Sequence, residues 1–162
     1  MSHIIQFENV GLRYGTGAET LSDITFSLAK GGFYFLTGPS GAGKTSLLKL
    51  LYLSQRPSRG LIRLFGDDMV TMPRDKLPLY RRRIGVVFQE PMLFARSIEE
   101  NLRVGKPDAT DEEIQIALER AQAREFVARQ PDGLKTIVGE RGRTLSGGER
   151  QRVSIARALL KD

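Results

Sequence analysis

"GPSGAGKT", Gly38 to Thr45, is the stretch that decides the fold. It satisfies the pattern G-x-x-x-x-G-K-[ST] at every required position, and its surroundings are the ones that pattern needs. The apolar run "FYFLT" (33–37) precedes it and reads as a strand buried on both faces. From Lys44 the period changes: Leu47, Leu48, Leu50, Leu51 and Leu53 crowd onto a helix that Pro57 and Gly60 stop near "QRPSRG". Such a turn, rich in Gly38, Gly41 and Gly43, lets the backbone curl until successive N–H groups point inward at an anion. The helix start adds its positive dipole end. Lys44 can bridge β- and γ-phosphate oxygens, and the Thr45 hydroxyl can ligate Mg²⁺ beside water and phosphate. The stretch therefore reads as a seat for a nucleoside triphosphate.

Outward from this turn, the chain before it is β-rich. Ile5 and Phe7, then Ile24, Phe26 and Leu28, alternate with polar residues as half-buried strands do, with Gly15, Gly17, Gly31 and Gly32 as turns. After it, "LIRLFG" (61–66) and "IGVVFQ" (84–89) read as further strands, the second introduced by Arg81-Arg82-Arg83. Residues 97–129 turn helical: Thr110 and Glu113 fit a capping box, and Ile114, Ala117, Leu118 and Ala121 follow helical spacing. Residues 131–144 read as a loop, and a last helix carries Val153, Ala156 and Leu160 on one stripe.

Composition narrows the chemistry. The chain has 162 residues and no cysteine, which excludes disulfides and thiolate metal sites, and its one histidine is His3. Its apolar and charged fractions, 40% and 27%, are those of a globular domain. The formal charge of +6 is uneven: residues 1–90 carry twelve Lys/Arg against seven Asp/Glu, and residues 91–162 thirteen against twelve. The Arg81–Arg83 run could attract phosphates, nucleic acid or anionic lipid, but such a run is more commonly a solvated face. No apolar stretch reaches membrane-spanning length and the first residues lack a secretory pattern, so a cytosol-facing chain is expected.

Three motifs in order, "GPSGAGKT", "VVFQE" (86–90) and "LSGGERQRVSIARALLKD" (145–162), resemble the nucleotide-binding domain of an ABC (ATP-binding cassette) transporter. The resemblance spans essentially the whole chain. It implies an α/β P-loop NTPase of the ABC type, with an N-terminal antiparallel β part, a partial RecA-like core and an α-helical signature subdomain. Residues 1–90 would form the β-rich lead-in and the P-loop core up to the Q-loop, and residues 91–162 the helical subdomain. ATP and Mg²⁺ are the implied cofactors. Gly38, Pro39, Ser40, Gly41, Ala42, Gly43, Lys44, Thr45 and Ser46 would hold the phosphates, with Thr45 and Gln89 on Mg²⁺. Gln89 would also meet the attacking water. Tyr14, in "LRYG", sits where the family stacks an aromatic on adenine; an ordinary strand tyrosine is the competing reading.

Ser146, Gly147, Gly148 and Glu149 would face the γ-phosphate held by a partner domain, and the competing reading of "SGGE" is a plain helix N-cap. The implied partners are a second nucleotide-binding domain, as a homodimer or heterodimer meeting head to tail, and a transmembrane transporter subunit or domain. No nucleic-acid partner is implied. The implied location is peripheral, on the cytoplasmic face of the inner or plasma membrane. Residues 1–89 look more like the cell-division ABC ATPase and residues 90–162 more like an exporter of the cyclic β-glucan type. "TIVGERG" (136–142) resembles the exporter loop that meets the coupling helices. That division points to a recombined or engineered chain with a seam near Phe88–Leu93.

In the resembled family the Walker B strand, the catalytic glutamate and a switch histidine follow this stretch, and the 162 residues contain none of them. ATP binding with weak or no turnover is the expectation. Two alternatives stand beside it. One is an engineered or recombined, non-catalytic P-loop scaffold. The other is a guanylate-kinase-like nucleotide kinase, which leaves residues 145–151 unexplained and expects its phosphate loop nearer the N-terminus.

Overall fold

The computed structural model describes residues 3–161, and the chain divides into two compact units, 1–81 and 82–162. The first is built on an antiparallel sheet of order β2-β1-β3-β4: β1 His3–Arg13, β2 Glu19–Ala29, β3 Arg59–Leu64 and β4 Asp67–Asp68. The alternation read in the sequence places Ile24, Phe26 and Leu28 on the half-buried side of β2, between exposed Thr25 and Ser27. In β1 the buried apolar side chains are Phe7, Val10 and Leu12, a spacing that strict alternation forbids. A register shift between Phe7 and Val10, with Asn9 at φ 50°, inserts the extra residue and returns the apolar face inward. Phe7 faces Phe26 across the ladder, their rings 4.7 Å apart and nearly parallel.

Helix α1, Lys44–Leu51, begins where the phosphate turn ends; it buries Leu50, and Leu53, just past its end at φ 60°, joins Leu50, Ile62, Leu64, Met69 and Leu77 in this unit's core. A short helix α2, Leu77–Arg81, closes the unit. The Arg81 guanidinium donates to the Leu53 carbonyl at 2.7 Å, so one member of the arginine run holds backbone in place.

Two strand expectations are corrected. Residues 33–37, read as a doubly buried strand, join no sheet; Phe33 and Phe35 are 83% and 82% exposed and meet edge-on at 5.0 Å. A buried strand needs a hydrogen-bonding neighbour for its N–H and C=O groups, and none of the described strands pairs with this segment. Residues 84–89 are likewise irregular. Their first two residues meet the C-terminal end of the last helix instead: the Ile84 carbonyl accepts Lys161 Nζ at 3.2 Å, and Gly85 sits so close to Ala158 that a Cβ there would be 3.0 Å from its carbonyl.

The second unit is helical: α3 Ile98–Arg103, α4 Asp111–Arg120, α5 Arg124–Ala128 and α6 Gly147–Leu159, with 3₁₀ turns at Gly133–Lys135 and Glu140–Gly142. Both α3 and α4 pack on α6. Ile114, Ala117 and Leu118 from α4 and its C-cap Ala121, with Val153, Ala156 and Leu160 of the last stripe, are all buried in one core with Ile98, Leu102 and Phe126. Each fully buried Leu or Ile of this kind contributes roughly 1.5–3 kcal/mol before entropy is counted. The Thr110–Glu113 capping box forms as expected, and Ser97–Glu100 and Ser146–Glu149 repeat it on α3 and α6.

Candidate functional site

In the first unit the turn at residues 38–43 is shaped by glycine. Gly43 sits at φ 84°, and a Cβ there would lie 2.6 Å from Leu21 Cδ2 and 3.1 Å from the Thr20 carbonyl oxygen. Only glycine meets both conditions. Gly43 is also the residue that caps α1, so no side-chain oxygen covers the helix start, and the first turn carries no acidic residue. The contrast with α3, α4 and α6, each closed by a capping box, is direct. At α1 the first-turn N–H groups and the positive dipole end remain open to an anion. Lys44 Nζ donates to the carbonyls of Gly38 and Pro39, both at 2.6 Å, so the ammonium is folded back over the same turn. Pro39, Ser40, Gly41, Ala42 and Thr45 are exposed.

Tyr14 lies just past the end of β1, in the loop joining it to β2, and is therefore not a strand residue. Its hydroxyl donates to Ser46 Oγ at 3.3 Å, and its side chain stays 44% exposed. The structure thus brings Tyr14 and the first turn of α1 together, 32 residues apart in sequence. The Thr45 hydroxyl is a single neutral oxygen at the mouth of the turn, a donor that suits a hard cation completing its shell with water and phosphate oxygens.

In the second unit Ser146 is the N-cap of α6. Its Oγ accepts the Glu149 N–H at 3.3 Å while the Glu149 carboxylate accepts the Ser146 N–H at 2.8 Å. The Ser146 hydroxyl, and then its N–H, hold the Glu149 carboxyl below the usual carboxylate range. The box serves two backbone groups, leaving the exposed N–H groups of Gly147 and Gly148 without helical acceptors. The N-cap reading of "SGGE" is therefore correct, and it leaves room for an anion at the two glycines. Arg150 Nη1 donates to the Leu145 carbonyl at 2.7 Å and steadies the turn from behind.

Gln89 is exposed on an open cleft of about 770 Å³ that Met92, Arg141, Arg143, Gly147 and Arg150 also line. Three guanidiniums there, against the one carboxylate of Glu90, give the cleft a net positive lining. A residue not anticipated from the sequence shapes this region. Asn101 is fully buried; its amide accepts the Phe94 N–H at 2.8 Å and donates to the Phe94 and Ser97 carbonyls at 3.0 and 2.9 Å. All its near partners are backbone groups, so it fixes the path of residues 94–97. The loop after it is pinned too: the Ile98 N–H donates to the Thr136 carbonyl and the Val138 N–H to the Arg96 carbonyl, each at 3.0 Å.

Comparison with known proteins gives a family and a fold. A family model described as ABC transporter matches residues 21–162. The beta-(1→2)glucan export ATP-binding/permease protein NdvA of Nitrobacter winogradskyi is 51% identical over 158 residues, 98% of this chain and 26% of that protein. Its counterpart from Bradyrhizobium diazoefficiens is 51% identical over all 162 residues. The mitochondrial potassium channel ATP-binding subunit of Rattus norvegicus is 46% identical over 159 residues, 97% of this chain and 22% of that protein. The chain thus spans about a quarter of the length of the curated relatives it matches, and the exporter matches run through both of its halves. Among solved structures, a bacterial Atm1-family ABC exporter with ATP bound superposes with a TM-score of 0.87 at 39% identity, over 98% of this chain and 27% of that one.

Proposed function

We propose, since this chain belongs to the ABC transporter family and has its ATPase fold, that residues 38–46 bind ATP·Mg²⁺ as the ATP-binding module of an exporter. The observation that carries this reading is the uncapped start of α1 beneath a glycine turn, with Lys44 folded over it. A triphosphate arriving there meets open N–H donors, a helix dipole and the Lys44 ammonium, which exchanges two carbonyl partners for phosphate oxygens. Bound Mg²⁺ would supply charge neutralisation at the phosphates; within the first unit its proposed ligand is the Thr45 hydroxyl. Tyr14 offers its exposed ring to the adenine.

The second unit's proposed part is to present Gly147 and Gly148, held by the Ser146–Glu149 box, to the γ-phosphate of a second domain in a head-to-tail pair. A membrane-embedded permease portion is the other proposed partner, which puts this chain on the cytoplasmic face. No helix among the described residues is long and apolar enough to cross a membrane itself. Turnover by these residues alone is proposed to be slow. Glu149, the carboxylate of the signature turn, is committed to its capping box and does not serve as a general base.

The reading is tested by thermal unfolding with Mg·ATP. A ligand at a hundredfold excess over its Kd adds about 2.7 kcal/mol of stability, so a rising melting temperature with ATP is expected. An unchanged melt at millimolar Mg·ATP contradicts it.

A further inference from the structure

We propose that Arg59 is a positioning residue for the nucleotide base: it grips the β2 end of the loop that carries Tyr14, beside Ser58 at the β1 end, and so decides how well adenine is held. The proposal rests on the nucleotide-site reading above. Arg59 opens β3, and its guanidinium bonds to both of the other long strands of the sheet, β1 and β2. Nε and Nη2 donate to the two carboxylate oxygens of Glu19, each at 3.0 Å, a bidentate grip on the first residue of β2. Nη1 donates to Asp23 Oδ1 at 2.9 Å and to the Asn9 carbonyl at 3.0 Å. A longer contact, 3.5 Å, reaches Ser22 Oγ.

Those partners frame Tyr14. The loop 14–18 is closed by the pair Arg13 and Glu19, which face each other in the β1–β2 ladder. On the Glu19 side the loop is tied by Arg59. On the Arg13 side it is tied by the neighbouring residue: the Arg13 N–H donates to Ser58 Oγ at 2.9 Å, and the Ser58 N–H donates to the Gly11 carbonyl at 2.8 Å. Residues 58 and 59 thus anchor both stems of the loop. The next residues of β2, Thr20 and Leu21, are the surface against which Gly43 rests.

The clamp occupies space that the sequence keeps free for it. Gly11 is buried and faces Arg59 in register; a Cβ there would lie 2.8 Å from Arg59 Nε and 2.9 Å from Glu19 Oε1. The backbone at Gly11 has no positive φ, so what forbids a side chain is the ion pair itself. The pairing also shows in acidity. Its hydrogen bonds to Arg59 hold the Glu19 and Asp23 carboxyls below their usual range.

The test titrates the 162-residue chain with Mg·ATP and, separately, with magnesium tripolyphosphate, which fills the phosphate seat but has no base. The variants are Arg59→Ala, Arg59→Lys, Gly11→Ala, Tyr14→Ala and the pair Tyr14→Ala with Arg59→Ala. Arg59→Ala and Gly11→Ala are expected to weaken ATP about three- to tenfold, the worth of one stacking contact, and to leave tripolyphosphate unchanged. Arg59→Lys restores only part, because an ammonium cannot grip bidentately. In the Tyr14→Ala background Arg59→Ala should add nothing, since it acts through that ring. Circular dichroism checks folding, and if Arg59→Ala does not fold, Gly11→Ala carries the same comparison. Equal loss of both ligands, no loss of either, or a full additional loss on top of Tyr14→Ala overturns the proposal. A wild-type chain that takes up neither ligand removes the nucleotide site and this inference together; one that binds both while Tyr14→Ala changes nothing removes this inference alone.

Discussion

Lys44 Nζ lies 2.6 Å from the carbonyl oxygen of Gly38, six residues earlier, so the turn and the charge it would lend a phosphate already share one space. The ammonium is borrowed by backbone carbonyls, and no acid stands in the first turn of α1 to keep it. A charge-assisted bond to a phosphate oxygen is stronger than one to a neutral carbonyl, so the exchange runs toward the anion.

The signature turn separates two roles that one substitution can tell apart. Ser146→Arg places a long cation at the start of α6 and should block an ATP-linked dimer while leaving ATP binding by the monomer within about twofold. Light scattering with and without Mg·ATP reads the first, calorimetry the second. Equal dimerisation of variant and wild type counts against the shared site. Ser146→Ala should cost the second unit about 1 kcal/mol of stability through its lost cap.

Acid should loosen the helical unit through its three capping boxes. Bonds from Ser97 to Glu100, from Lys106 and then Thr110 to Glu113, and from Ser146 to Glu149 hold all three carboxyls below their ordinary value. A carboxyl depressed in the folded state stabilises above its unfolded pKa of about 4.3, and that stability is lost as pH falls through the folded value. Helical circular dichroism should therefore decline below roughly pH 4. Glu149→Gln is neutral at every pH and lacks the stability that the ionised carboxylate adds, so it should shift that decline to higher pH. An acid midpoint identical to wild type contradicts the assignment.

Asn101→Leu should be severe. It fits the space but takes the amide from the part-buried Phe94 N–H and carbonyl and from the Ser97 carbonyl, at roughly 1–3 kcal/mol for the groups left unpaired. The denaturant midpoint reads this. A midpoint within error of wild type would mean that residues 94–97 hold their path without the amide.

Much of this was legible in advance because it is local. The glycine turn, the helix after Lys44, the Thr110 box and the Val153–Ala156–Leu160 stripe depend on neighbours within a few residues, and each is present. Residues 33–37 and 84–89 were misread because an apolar, β-prone run becomes a strand only when another strand satisfies its backbone. The Phe7–Val10 register shift, made by Asn9 at positive φ, does break the apolar alternation, but nothing local tells such a break in a strand from the end of one. Arg59 and Asn101 were missed for a related reason. Their partners lie up to 50 residues away for Arg59, or on backbone atoms for Asn101, and neither carries a motif.

The central claim is that the glycine turn and Lys44 form the seat of the ATP phosphates. Calorimetric titration of Mg·ATP into wild type and Lys44→Ala tests it most directly. Losing one charge-assisted contact should weaken binding by at least about tenfold, with the melting temperature of the free variant close to wild type. An affinity unchanged by Lys44→Ala contradicts the site.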